Sequence, residues 1–112
     1  KALLDGVHEA LVFAFKIPDD DRQQVLFELP DGHFDTGGRS RQCCLVQITA
    51  FQGRSREAKR ALYARIVENL AKAPGIAPAD VLIVLNEQDR VNWGVQGGQV
   101  ADEVDLGFNV NV

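Results

Sequence analysis

The sequence predicts an α/β (α+β) fold in which tandem β-α-β units form a four-stranded sheet with both helices packed on one face. An internal repeat is the chief reason. Laid without a gap at a spacing of 59, residues 1–28 and 60–87 share ten identities, among them Leu3/Leu62, Glu9/Glu68, Leu11/Leu70, Ile17/Ile76, Asp21/Asp80 and Glu28/Glu87. A second reason is that each copy switches from a helical to a strand-like hydrophobic period after a Pro- or Gly-marked break. At 112 residues the chain reads as one domain, with 1–42 the first repeat and 43–112 the second repeat plus a C-terminal strand. A unit of about 60 residues is marginal alone, so the halves are expected to share a core.

Residues 1–15 place Leu3, Leu4, Val7, Leu11, Ala14 and Phe15 at helical spacing. Lys16-Ile17-Pro18 stops this helix, because the residue before proline is steered out of the helical region. Asp19 to Asp21 form a turn, and 23–29 read as a strand closed by Pro30-Asp31-Gly32. The second copy opens with a strand-like run at 43–51, then Gln52-Gly53-Arg54-Ser55. The first copy is expected to carry the same lead-in, upstream of Lys1. Ser55 suits the N-cap of a helix to about Ala73, with Leu62, Ile66, Val67 and Leu70 on its apolar face. Pro74-Gly75 breaks it, and 81–85 is a nearly continuous apolar run of the kind buried on both faces. From Asp105 onward, Leu106, Phe108, Val110 and Val112 alternate with small or polar residues, which predicts a terminal strand free to close a sheet edge or pair with another subunit.

A formal net charge of -4 without any run of Lys or Arg argues against a nucleic-acid partner, though one or two local arginines can still hold an organic anion. No apolar stretch approaches the roughly 18 residues of a membrane span, and no signal region opens the chain, so a cytoplasmic location is expected. Cys43 and Cys44 are adjacent on a strand and point to opposite faces, which disfavours a disulfide between them. With only His8 and His33 beside them, a Cys/His metal site lacks ligands, and no metal or cofactor is expected. Both histidines read as partly exposed helix or loop residues. Asp35-Thr36-Gly37 matches the tripeptide of aspartic proteases, but the apolar strands that hold that loop are missing around it. The repeat accounts for it better, since Phe34 aligns near Trp93, and the glycine pairs Gly37-Gly38 and Gly97-Gly98 follow at similar distance.

The series Leu45-Val46-Gln47-Ile48, Gly53-Arg54-Ser55, Lys59-Arg60-Ala61-Leu62-Tyr63, Val84-Leu85-Asn86-Glu87 and Asn92-Trp93-Gly94 resembles the 4-oxalocrotonate tautomerase pattern. Gly32-His33-Phe34-Asp35-Thr36-Gly37-Gly38 is similar to the corresponding first-half hairpin. The fused repeat, with Ile17-Pro18-Asp19-Asp20-Asp21-Arg22 after the first helix, most resembles the malonate semialdehyde decarboxylase branch of that superfamily. The resemblance implies a homotrimer and acid/base chemistry on a small enol or β-keto organic acid by an amino-terminal proline. Position 44 less the repeat of 59 puts that proline upstream of Lys1.

The resemblance also implies site residues. Arg54 matches the arginine that holds a substrate carboxylate, and Asp21 the aspartate that assists the proline or a water; these are the catalytic candidates. The plain alternatives are an exposed arginine at a helix start, unfavourable for the macrodipole, and a turn carboxylate repeated as Asp80. Gln23, Phe34, Gln52 and Trp93 are the substrate-binding candidates: Gln23 as a strand hydrogen-bonding group, Phe34 and Trp93 as pocket walls. Gln52 departs from the decarboxylase pattern, which has a second arginine there, and that weakens the case for decarboxylation. A small-acid enzyme and a catalytically silent scaffold kept for assembly are the two functional alternatives.

Overall fold

The computed structural model describes residues 1–30 and 43–112. The order is α1 (Ala2–Phe15), β1 (Cys44–Phe51), α2 (Arg56–Lys72), β2 (Val81–Gln88), and a short hairpin of β3 (Gly94–Val95) and β4 (Gln99–Val100). β1 and β2 pair in parallel, with Cys44 opposite Val81 and Phe51 opposite Gln88, so that β1-α2-β2 is the expected crossover unit. Ser55 caps α2 by accepting from the Ala58 N–H at 3.1 Å, as its position predicts.

Both helices lie on one face of this sheet. Val7, Ala10, Ala14 and Phe15 of α1 meet Leu62, Ile66 and Leu70 of α2 over Val46 and Ile48 of β1, so the two halves share one core. Gly6 permits the close crossing of the helices, since a Cβ there would lie 3.3 Å from Asn69 Cβ and from Leu70 Cδ2. Around this contact Asn69 Nδ2 donates to Gly6 O, and Arg65 grips Glu9 with two bonds of 2.8 Å. The repeat is visible in the backbone just after the helices too. Lys16 and Gly75, equivalent by the 59-residue shift, both take positive φ, at 58° and 100°.

Three strand expectations need correction. Residues 23–29 form no strand; Val25 and Phe27 are 73% and 79% exposed, because a strand needs a ladder partner and none pairs with this segment among the described residues. Among the described residues the ladders are the parallel pair β1–β2 and the separate hairpin β3–β4, within the expected α+β arrangement with both helices on one face. The C-terminal alternation also forms no strand. Asp105 Oδ1 accepts from Gly107 N and Asn109 Oδ1 from Asn111 N, local turns that compete with an extended ladder. Finally, β2 is not covered on both faces in the single chain: it alternates, leaving Leu82 and Val84 exposed beside Leu45 of β1. Cys43 and Cys44 are free, half-buried thiols, and burial pushes the Cys44 thiol above its usual range. No helix among the described residues is long and apolar enough to cross a membrane.

Candidate active site

An open cleft of about 2020 Å³ runs between α1, the irregular segment 17–30 and β1, and reaches the residues around Trp93. Arg54 lines it. The turn that carries Arg54 from β1 to α2 depends on Gly53 at φ 128°, where a Cβ would come within 2.6 Å of Asn111 Oδ1 and 2.8 Å of Val110 O. The C-terminal residues thus press directly on this turn, and Ser55 N donates to Val112 O at 2.8 Å.

Arg54 is only 7% exposed, which excludes its reading as a solvated helix-start residue. Its guanidinium lies 4.8 Å over the ring of Phe15, and Nη1 donates to Phe51 O at 3.0 Å. Its Nε is buried without a hydrogen-bond partner among the described residues. Burial lowers the guanidinium pKa, while Glu87 and Asp21 act in the opposite direction. An arginine remains cationic through such a shift. Glu87 itself is engaged by Lys59 Nζ at 2.6 Å, so the neighbouring carboxylate already holds another cation.

The other candidates separate into two groups. Asp21, Gln23 and Trp93 line the same cleft as Arg54. Asp21 and Gln23 are exposed on its rim, Asp21 in a turn closed by its own N–H to Pro18 O at 3.0 Å. Trp93 is half-buried, its ring tilted at 56° against Phe51 with centroids 4.7 Å apart, and its indole Nε1 is buried and unpartnered among the described residues. Gln52 is exposed where β1 ends, its N–H bonded to Gln88 O, and is not part of the cleft lining. Phe34, His33 and Asp35-Thr36-Gly37 lie outside the described residues.

His8 corrects its expectation. It is 6% exposed and bonds through Nε2 to Asp19 O at 2.7 Å. The signal was present, since 4, 8 and 11 fall on one helical face with Leu4 and Leu11. For Phe15 beneath Arg54 and Phe51 beside Trp93 no local signal existed. Among the described residues no group of three His, Cys, Asp or Glu side chains could hold a metal.

Comparison with known sequences decides the family. The profile of a family described as tautomerase enzymes matches residues 21–96. The chain belongs to this tautomerase family. Its relatives include the probable tautomerase YrdN of Bacillus subtilis (strain 168), 32% identical over 105 residues, covering 88% of this chain and 81% of that protein. The 2-hydroxymuconate tautomerase of Comamonas testosteroni is 33% identical over 52 residues, 46% of this chain but 82% of its own length. Among solved structures, malonate semialdehyde decarboxylase superposes with a TM-score of 0.79 at 33% identity, covering 88% of this chain and 81% of that one. A fused 4-OT symmetric trimer superposes with a TM-score of 0.80 at 25% identity, over 90% and 83%. The tautomerase assignment thus rests on the family profile, on relatives matched over most of their length and on the fold together, and the likeness extends to the malonate semialdehyde decarboxylase branch.

Proposed function

We propose that this tautomerase-family chain acts on a small enol or β-keto organic acid whose carboxylate is held by Arg54. The observation that carries the reading is the buried guanidinium itself. A cation taken out of water against Phe15, with an Nε that has no partner among the described residues, gains most from a charge-assisted, two-oxygen acceptor. Phe15, Phe51 and Trp93 form apolar surface beside that charge, and low local polarity strengthens its attraction for an anion.

The base in this reading is the secondary amine of an amino-terminal proline on a strand preceding Lys1. The internal repeat supports a first-copy counterpart of β1, and the cleft beside β1 supports a place for it. Near a guanidinium and apolar rings the charged form of that amine is disfavoured, so it is neutral near pH 7 and can take up a proton. In tautomerisation it removes a proton from the enol and returns it to carbon as the carbonyl forms. In the decarboxylase-like alternative the amine stays cationic and polarises the β-keto carbonyl. As the C–C bond to the carboxylate breaks, carbon dioxide leaves, the electron pair of that bond forms the C=C of the enol, and the carbonyl oxygen takes a proton from the ammonium. Asp21, on the rim and in electrostatic contact with Arg54, would orient the amine or a water. Gln23 and Phe34 would complete the substrate contacts. Gln52, two residues before Arg54 and outside the cleft lining, supplies no second positive charge for enolate stabilisation, which favours tautomerisation over decarboxylation. The chain is a single domain of two repeats in this reading. Because a fused 4-OT neighbour is a symmetric trimer, we also propose a homotrimer, with the exposed apolar face of Leu45, Leu82 and Val84 buried between subunits.

Kinetics of the full-length protein on a phenylenolpyruvate-type enol acid test this reading. Arg54→Ala is expected to lower kcat/KM by about 30-fold to 1000-fold, equivalent to roughly 2 to 4 kcal/mol of transition-state binding. Unchanged kinetics in that variant would sink the assignment.

A further inference from the structure

We propose that His8 is a positioning residue that sets Asp21 against Arg54, an inference that rests on the role proposed above for Asp21. Segment 17–30 has no strand partner among the described residues, yet Asp21 must stay at a fixed place on the cleft rim if it is to orient a small group beside Arg54. Three polar contacts to one face of α1 hold it. Gln24 Nε2 donates to Leu4 O at 2.8 Å, Arg22 Nη2 donates to Asp5 Oδ1 at 2.6 Å, and His8 Nε2 meets Asp19 O at 2.7 Å. Arg22 Nε further donates to Gln24 Oε1, tying two of the contacts together.

His8 differs from the ion pair of Arg22 with Asp5. Asp5 and Arg22 are about two-fifths exposed and lie in solvent, whereas the His8 ring is 7% exposed. A carbonyl can only accept, so Nε2 carries the proton and donates. That bond fixes the backbone at Asp19, and the next turn closes through Asp21 N to Pro18 O. The carboxylate of Asp21 is therefore two residues from the buried anchor and inside a closed turn. His8 also lies on the cleft wall, but its ring nitrogen Nε2 is committed to the backbone and is not available for proton transfer. Its helical repeat equivalent is Val67, and the second copy places Asp80 in a buried 3-10 turn instead of on a rim. The first copy alone combines the histidine anchor with an exposed aspartate.

The test uses the full-length protein with His8→Leu, which keeps apolar volume and removes the donor, and His8→Gln, whose amide can reach the same carbonyl. His8→Leu is expected to accelerate exchange of the Asp21 amide about tenfold without changing the central amides of α1, and His8→Gln to restore protection. In kinetics on the same phenylenolpyruvate-type enol acid, His8→Leu should lower kcat about tenfold, leave KM within about twofold, and add nothing to Asp21→Asn. Unchanged exchange at Asp21, or losses from His8→Leu and Asp21→Asn that multiply, overturns the proposal. Should His8→Leu fail to fold, Arg22→Gln loosens the same turn from the solvent side and must show the same non-additivity with Asp21→Asn. If Asp21→Asn alone is without effect, the catalytic role of Asp21 falls, and the exchange measurement still decides whether His8 positions the turn.

Discussion

The guanidinium of Arg54 rests on Phe15, a side chain 1% exposed at the last turn of α1, so one aromatic ring serves both the core and the site. Truncating it removes core volume and the face on which the cation lies. Phe15→Ala is expected to cost about 3 to 5 kcal/mol of stability, read from denaturant unfolding, and to weaken carboxylate binding in any protein that remains folded. Gly53 is the second sensitive residue. At φ 128°, with Val110 O and Asn111 Oδ1 inside 3 Å of a built Cβ, Gly53→Ala must shift both the turn and the C-terminal residues. Loss of about 1 to 3 kcal/mol is expected, together with freer exchange of the Ser55 amide that now donates to Val112 O. An unaltered melting temperature would show that the turn can relax.

Between elements, the crossing of α1 and α2 is held by polar as well as apolar contacts. Hydrogen bonds from Arg65 and then Asn69 hold the Glu9 carboxyl down to about 2. A depressed folded-state value means the contribution is present above the unfolded carboxylate range and is lost as pH falls through the folded value. Here the loss runs from about pH 4.5 to about pH 2. Glu9 is half exposed, so solvent screening reduces the contribution to about 1 kcal/mol. Glu9→Gln is expected to lower the melting temperature at pH 7 and to converge on the parent below about pH 2; a difference that persists in acid would assign the effect to packing instead. Ser55 belongs to this scale too, and Ser55→Ala should cost about 1 kcal/mol through loss of the α2 cap.

For the whole molecule, the sheet presents helices on one face and Leu45, Leu82 and Val84 on the other, while Val25 and Phe27 of segment 17–30 are exposed still more fully. Apolar surface of this extent is a site for association. Leu82→Asp is expected to convert the proposed trimer to smaller species in light scattering at micromolar concentration, and assembly that survives this change would place the interface elsewhere.

The sequence alone determined the repeat, both helices with the first stopping at Lys16 and the second near Ala73, the parallel pair β1 and β2, the cap at Ser55 and the location of Arg54 just after β1. These follow from local periodicity and turn chemistry, which depend on residues a few positions apart. It overstated strands at 23–29 and 105–112, because alternation reports a preference and only a paired ladder makes a strand. Tertiary structure decided that Arg54 is buried over Phe15, that His8 anchors Asp19, and that residues 110–112 close on Gly53. Each is a contact between segments far apart in the chain, fixed by how the helices cross the sheet, and no pattern within a single segment encodes that geometry.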